Sequence, residues 1–95
     1  MIDADKIIAL RDTLYARQGG RCAVCGEMLD WMTFHAAHRI PQRKHWLRRY
    51  GKDVIHHPDN FFATCPTDRC NNAISIGNNR MRADDIAEEI EKNMP

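Results

Sequence analysis

Four cysteines in two close pairs limit what this chain can fold into more than any other feature. Cys22-Ala-Val-Cys25-Gly26 is followed, after about forty residues, by Cys65-Pro-Thr-Asp-Arg-Cys70. Zn²⁺ has no ligand-field preference and accepts four thiolates at the corners of a tetrahedron. The two-residue spacing of the first pair, followed by Gly26, is the pattern of a zinc knuckle, in which backbone amides turn towards the thiolates. The four-residue spacing of the second pair falls within the usual ligand range. A site closed by Cys22, Cys25, Cys65 and Cys70 leaves no position for water, so the ion is expected to be structural. Disulfides in an exported protein, or four unrelated thiols, are the competing readings. The pairing and the absence of a leader pattern favour metal.

Ninety-five residues suffice for a single domain spanning residues 1–95. Chains this short often rely on a metal or on disulfides. With 7% aromatic and 28% charged residues, the apolar core must be thin. No apolar run is long enough to cross a bilayer and no leader pattern opens the chain, which predicts a soluble, cytoplasmic protein with no membrane partner.

The periodicities predict an α+β arrangement. Residues 3–18 read as a helix, started by Asp3 or Asp5 and stopped by Gly19-Gly20, with Ile7, Leu10 and Leu14 as its core stripe and Tyr15 beside it. Residues 30–40 read as a strand ending near His38–Arg39 before Pro41. Residues 41–59 read as a long connection with a helical turn at His45–Tyr50. A second, antiparallel strand is expected over residues 60–65, then a short helix from Cys70 to Gly77. Residues 82–93 form an amphipathic helix with Ile86 and Ile90 on one face and Asp84 and Asp85 in its first turn.

Three segments suggest chemistry: AAHRIP (36–41), HPDNF (57–61) and CPTDRCNNA (65–73). On these residues the chain resembles the HNH endonuclease family over roughly residues 20–77. The resemblance implies a ββα-metal, treble-clef-like core with a four-cysteine zinc, flanked here by the N- and C-terminal helices. It implies a metal-dependent DNA endonuclease or nickase in which His38, Asn60 and Asn71 hold the catalytic positions. His38 would activate water, as a neutral imidazole can near neutral pH. Asn60 would orient that histidine or tie the loop to it. Asn71 would offer its amide oxygen to one Mg²⁺ or Mn²⁺. Many family members place Asp or His immediately before the histidine as a metal ligand, and this chain has Ala37. His35, His56, His57 and Asp59 are the candidates to replace it; His35, three residues from His38, should point to the opposite face of an extended strand.

Each residue also has a plainer reading. His38 can be a satisfied structural histidine, Asn60 a turn residue, and Asn71 the N-cap of the helix begun at Cys70, with Asn72 as its rival.

Net charge is only +1, yet Arg39, Arg43, Lys44, Arg48, Arg49 and Lys52 form a stretch without acids, while Asp84, Asp85, Glu88, Glu89 and Glu91 gather near the C-terminus. These six cations are expected to contact DNA phosphates without reading sequence, positioning a scissile phosphate near His38. Trp46 is expected to anchor the loop and His45 to lie at the surface. Cutting both strands would require a homodimer or two visits. Two alternatives remain: a degenerate HNH-type fold that binds nucleic acid or protein without cutting, and a zinc-ribbon interaction module using the acidic C-terminal helix.

Overall fold

The computed structural model describes residues 4–94 and is a small α+β fold with one two-stranded sheet. In chain order it contains α1 (Ala4–Arg17), β1 (His35–His38), α2 (Lys44–Tyr50), α3 (Lys52–Ile55), a 3-10 turn (Pro58–Asn60), β2 (Phe61–Thr64), α4 (Asp68–Ile74) and α5 (Arg80–Lys92). Asp3, one of the two expected caps of the first helix, lies outside the described residues. No helix is long and apolar enough to cross a membrane among those residues.

Helix α1 ends where two glycines adopt left-handed backbone, Gly19 at φ 62° and Gly20 at φ 73°. The Gly20 amide donates to the Tyr15 carbonyl, and a Cβ at Gly20 would meet the Tyr15 ring at 3.0 Å. Only the C-terminal half of the predicted stripe is core. Leu14 is fully buried and Leu10 half-buried, but Ile7 is 44% exposed because the helix begins beyond the sheet. Burying a side chain such as Leu14 contributes about 1.5–3 kcal/mol. The helix is also tied to the sheet by polar bonds. The Gln18 amide both accepts from the Ala63 N–H (2.7 Å) and donates to the Ala63 carbonyl (2.9 Å), imitating a neighbouring strand. Arg17 donates to the Phe61 carbonyl at 2.6 Å.

Strands β1 and β2 pair antiparallel, with His35 opposite Thr64 and His38 opposite Phe61. The first strand is shorter than the expected 30–40. Asp30 folds the chain into a turn, its carboxylate accepting from the Met32 N–H and its carbonyl from Thr33 and Phe34, so residues before His35 cannot extend.

The connection over 41–59 is not a loop but two short helices and the 3-10 turn. Trp46 and Tyr50 stack with ring centroids 5.7 Å apart on one face of α2, and Gly51 (φ 86°) separates α2 from α3. Trp46 is buried, as expected, and its indole N–H donates to the Gly77 carbonyl.

Two further boundaries move. Helix α4 starts ahead of Cys70 because the Thr67 hydroxyl accepts from the Cys70 N–H, so Asn71 is not an N-cap. Helix α5 starts at Arg80 with Asn79 as its cap, which moves Asp84 and Asp85 out of the first turn. Asp84 instead accepts from Arg49 and Tyr50.

The apolar residues form two small cores. One gathers Ile40, Trp46, Val54 and Ile55 against Ala83, Ile86, Ala87 and Ile90 of α5. The other gathers Leu14, Leu29, Phe34, Phe61 and Ala63 around Cys22 and Cys70. Ile86 and Ile90 share the buried face of α5, as the periodicity predicts.

Candidate functional site

The turn at Cys22–Gly26 is folded by its own backbone. Gly26 (φ 75°) donates to the Cys22 carbonyl, and the Cys22 N–H donates to Glu27. The Ala23 N–H donates to the Ala63 carbonyl, so the knuckle docks on β2, whose end delivers Cys65. Thr67 starts the helix that delivers Cys70. The four sulfurs lie within 4.8 Å of one another, and Cys25 Sγ and Cys65 Sγ are 3.4 Å apart. A tetrahedron of thiolates around zinc has sulfurs roughly 3.8 Å apart. The Val24 and Cys65 amides both point at Cys22 Sγ at 3.4 Å, as amides do towards a thiolate.

The electrostatics fit the same ion. Burial pushes the Cys22 thiol up, but hydrogen bonds from backbone amides outweigh it and bring the group down to about 6. Its hydrogen bond with Cys25, burial and the neighbouring sulfur charges push Cys65 up to about 12. Four thiols this close cannot all ionise without a cation between them, and a thiophilic dication removes that conflict. Cys22, Cys25, Cys65 and Cys70 would hold it, with nothing left open for catalysis.

The second feature is an open cavity of about 480 Å³ between β1 and α4, close to the size of small-molecule sites. His38 enters it from the end of β1, and Asn71, Asn72 and Ser75 from α4; Arg11, Phe34, His35, Ala36, Pro41 and Gln42 complete it. His38 and Asn71, far apart in sequence, therefore share one cavity. His35, expected on the opposite face, also reaches its rim from the first position of β1. Ala37 is buried at 2% exposure and is not part of the cavity wall.

His38 packs on Phe61 with ring centroids 4.2 Å apart and meets His56 edge-on at 5.8 Å. Burial, reinforced by repulsion from His56, lowers its pKa from 6.5 to about 4. The ring is consequently neutral at pH 7, the state a proton acceptor needs.

Asn60 does not enter the cavity. It is fully buried between the two cores, accepts from the Ile40 N–H (2.9 Å), and donates to the carbonyls of Ile40 (3.1 Å) and Ile55 (2.8 Å). Its bonds tie the segment after β1 to the end of α3, and none runs to His38. His57 accepts from the Asp59 N–H through Nδ1, which makes it the cap of the 3-10 turn.

The expected basic residues lie elsewhere than the cavity wall. Arg39 donates to the Asp59 carbonyl and pairs with Glu89 at 3.9 Å. Arg49 pairs with Asp84 at 3.0 Å, and Arg43 donates to Asn78. Lys44, Arg48 and Lys52 are exposed. Arg48 and Arg49 join His45, Asn78 and Arg80 around a second, shallower groove beside Trp46. The cation at the cavity is Arg11, for which the sequence reading had no role. A signal was present: Arg11 stands three residues before Leu14, inside the stripe that faces the sheet.

Fitting Mg²⁺ or Mn²⁺ to the cavity gives a different answer from zinc. Its donors are imidazoles, amides and a hydroxyl, and no carboxylate among the described residues lines it. Magnesium is ordinarily held through carboxylates together with substrate phosphates. The protein's own side chains therefore do not fit a bare hard dication, and no chemical step is derived through one. No protein-family model, curated protein or solved structure matches this chain.

Proposed function

We propose that this chain is a zinc-clamped nucleic-acid-binding domain of the HNH type that hydrolyses phosphodiester bonds with low intrinsic sequence specificity. The observation that supports this reading best is the meeting of His38 and Asn71 in one cavity, with a four-sulfur cluster that takes Cys70 from α4 and Cys65 from the end of β2, the strand paired with β1. In this reading the neutral His38 ring accepts a proton from the attacking water, whose oxygen bonds to phosphorus as the ester P–O bond breaks and the leaving oxygen takes a proton from solvent. Asn71 presents its side-chain amide to the substrate from the opposite wall. Asn60 keeps the β1 exit in register by holding Ile40. The exposed cations Arg43, Lys44, Arg48 and Lys52 hold the flanking backbone through phosphate contacts, so affinity should fall steeply with salt.

A supercoiled plasmid is the direct test, incubated with zinc-loaded protein in Mg²⁺, in Mn²⁺ and with neither ion added, beside His38→Ala. Nicking that the variant loses supports the reading; equal nicking by both proteins refutes it. The arm without added divalent ion, run on zinc-loaded protein, reads the contribution of Mg²⁺ or Mn²⁺ separately from that of the side chains.

A second reading is favoured by one observation, the buried Ala37 at the position where the resemblance expects a metal ligand. In that reading the domain binds nucleic acid without cutting it. Salt-sensitive binding without plasmid cleavage in any of the three conditions would select it.

A further inference from the structure

Arg11 combines three features that no ordinary surface arginine has. Its guanidinium is fixed by two main-chain carbonyls, Nη1 donating to Phe34 at 2.8 Å and Nη2 to Trp31 at 2.6 Å. Its Cζ sits over the Phe34 ring, 3.9 Å from the centroid. It lines the same cavity as His38 and Asn71.

The charge has no carboxylate partner. None of the ion pairs among the described residues involves Arg11, and the adjacent Asp12 instead accepts from the Trp31 indole at 3.0 Å. A guanidinium has five N–H donors in a planar fork, and two are occupied here. The remaining three include Nε–H. A half-buried cation with no counter-ion among the described residues, in a cavity that none of their acids lines, is arranged for an anion. Fixing the side chain beforehand removes the rotamer entropy that a free arginine loses on binding.

We infer that Arg11 is a phosphate ligand of the cavity, binding a non-bridging oxygen of the phosphodiester that lies between His38 and Asn71. The inference rests on the nucleic-acid reading above and adds α1 to the site. Charge developing on the phosphoryl oxygens would meet a fixed cation at no cost of reorganisation. The pinning by Gln18 and Arg17 on β2 then has a functional consequence, because it holds the helix that carries Arg11 at a set distance from His38.

The test uses the whole chain with zinc bound and does not require turnover. In EDTA-free, divalent-free buffer, ¹⁵N-edited spectra of the wild type are followed while thymidylyl-(3′→5′)-thymidine is added, with thymidine as the phosphate-free control. The Arg11 Nε–H resonance should shift saturably with the dinucleotide and stay in place with the nucleoside. Arg11→Gln, which keeps an amide donor for the carbonyls, should weaken binding of a labelled oligonucleotide about 10- to 100-fold. The slope of log affinity against log salt should fall by roughly 0.7–0.9 for the one lost contact. Arg11→Lys should restore most of the slope and only part of the affinity. An unmoved Arg11 resonance, or a folded Arg11→Gln protein with unchanged affinity and slope, overturns the assignment. A shifted resonance in a protein that never nicks plasmid leaves Arg11 as a phosphate ligand and removes only the nuclease reading.

Discussion

His38 and His56 meet edge to face with their ring centroids 5.8 Å apart, and one buried nitrogen on each ring, Nε2 of His38 and Nδ1 of His56, has no hydrogen-bond partner in the protein. An imidazolium at His38 would be a buried charge beside the His56 ring. Burial, with the smaller repulsion from His56, keeps His38 neutral across the physiological range.

The first prediction follows from that arrangement. The His38 pKa is lowered from 6.5 to about 4, burial being the larger cause and His56 the smaller. Between these values the unfolded chain binds more protons than the folded one, so stability is complete above about 6.5 and falls as pH drops towards 4. Side-chain NMR should show the His38 ring neutral down to about pH 4, and His56→Gln should move its midpoint up only slightly. A midpoint near 6.5 would refute this.

Zinc removal should unfold the protein. Cys22 and Cys70 lie inside one of the two small apolar cores, so losing the ion leaves thiols without a partner in that core and ion binding is largely folding free energy. Metal analysis is expected to give one zinc per chain. Chelation or Cys22→Ser should abolish the cooperative thermal transition; Cys22→Ser with an unchanged transition would refute the four-thiolate centre.

Asn60→Ala should be costly although Asn60 touches no ligand. Its three hydrogen bonds are fully buried, and their loss leaves the Ile40 and Ile55 main-chain groups unpaired. Leaving such groups unsatisfied costs about 1–3 kcal/mol each, so a loss of about 3 kcal/mol or more is expected in urea unfolding. A change under about 1 kcal/mol would assign the residue a role other than the structural one.

Divalent ions alone should bind weakly. With no carboxylate of the described residues on the cavity wall, titration of zinc-loaded protein with Mn²⁺ in the absence of nucleic acid should show no saturation below roughly 10⁻⁴ M. Micromolar binding lost in Asn71→Ala would show that the side chains do form a dication site.

Local patterns carried much of this in the sequence. The cysteine spacing, the glycine pair after α1, the antiparallel strand at Phe61–Thr64 and the buried face of α5 all depend on residues close in the chain, where turn geometry and helical periodicity leave few choices. The errors came where a side chain or a short polar contact redirected the backbone. Asp30 folds a turn inside an apparent strand, Thr67 starts α4 early, and Asn79 does the same for α5.

The sequence by itself determined the four-sulfur cluster and the His38 and Asn71 candidates, because a metal-ligand spacing and a short motif are written in contiguous residues. Tertiary structure alone decided which cation reaches the cavity. Six basic residues crowd the segment after His38, yet none lines the cavity, four of them sitting on α2 and α3, while Arg11 arrives from the N-terminal helix. A long side chain's position is set by the docking of its element, here by Gln18 and Leu14 against the sheet, and no local pattern encodes that docking.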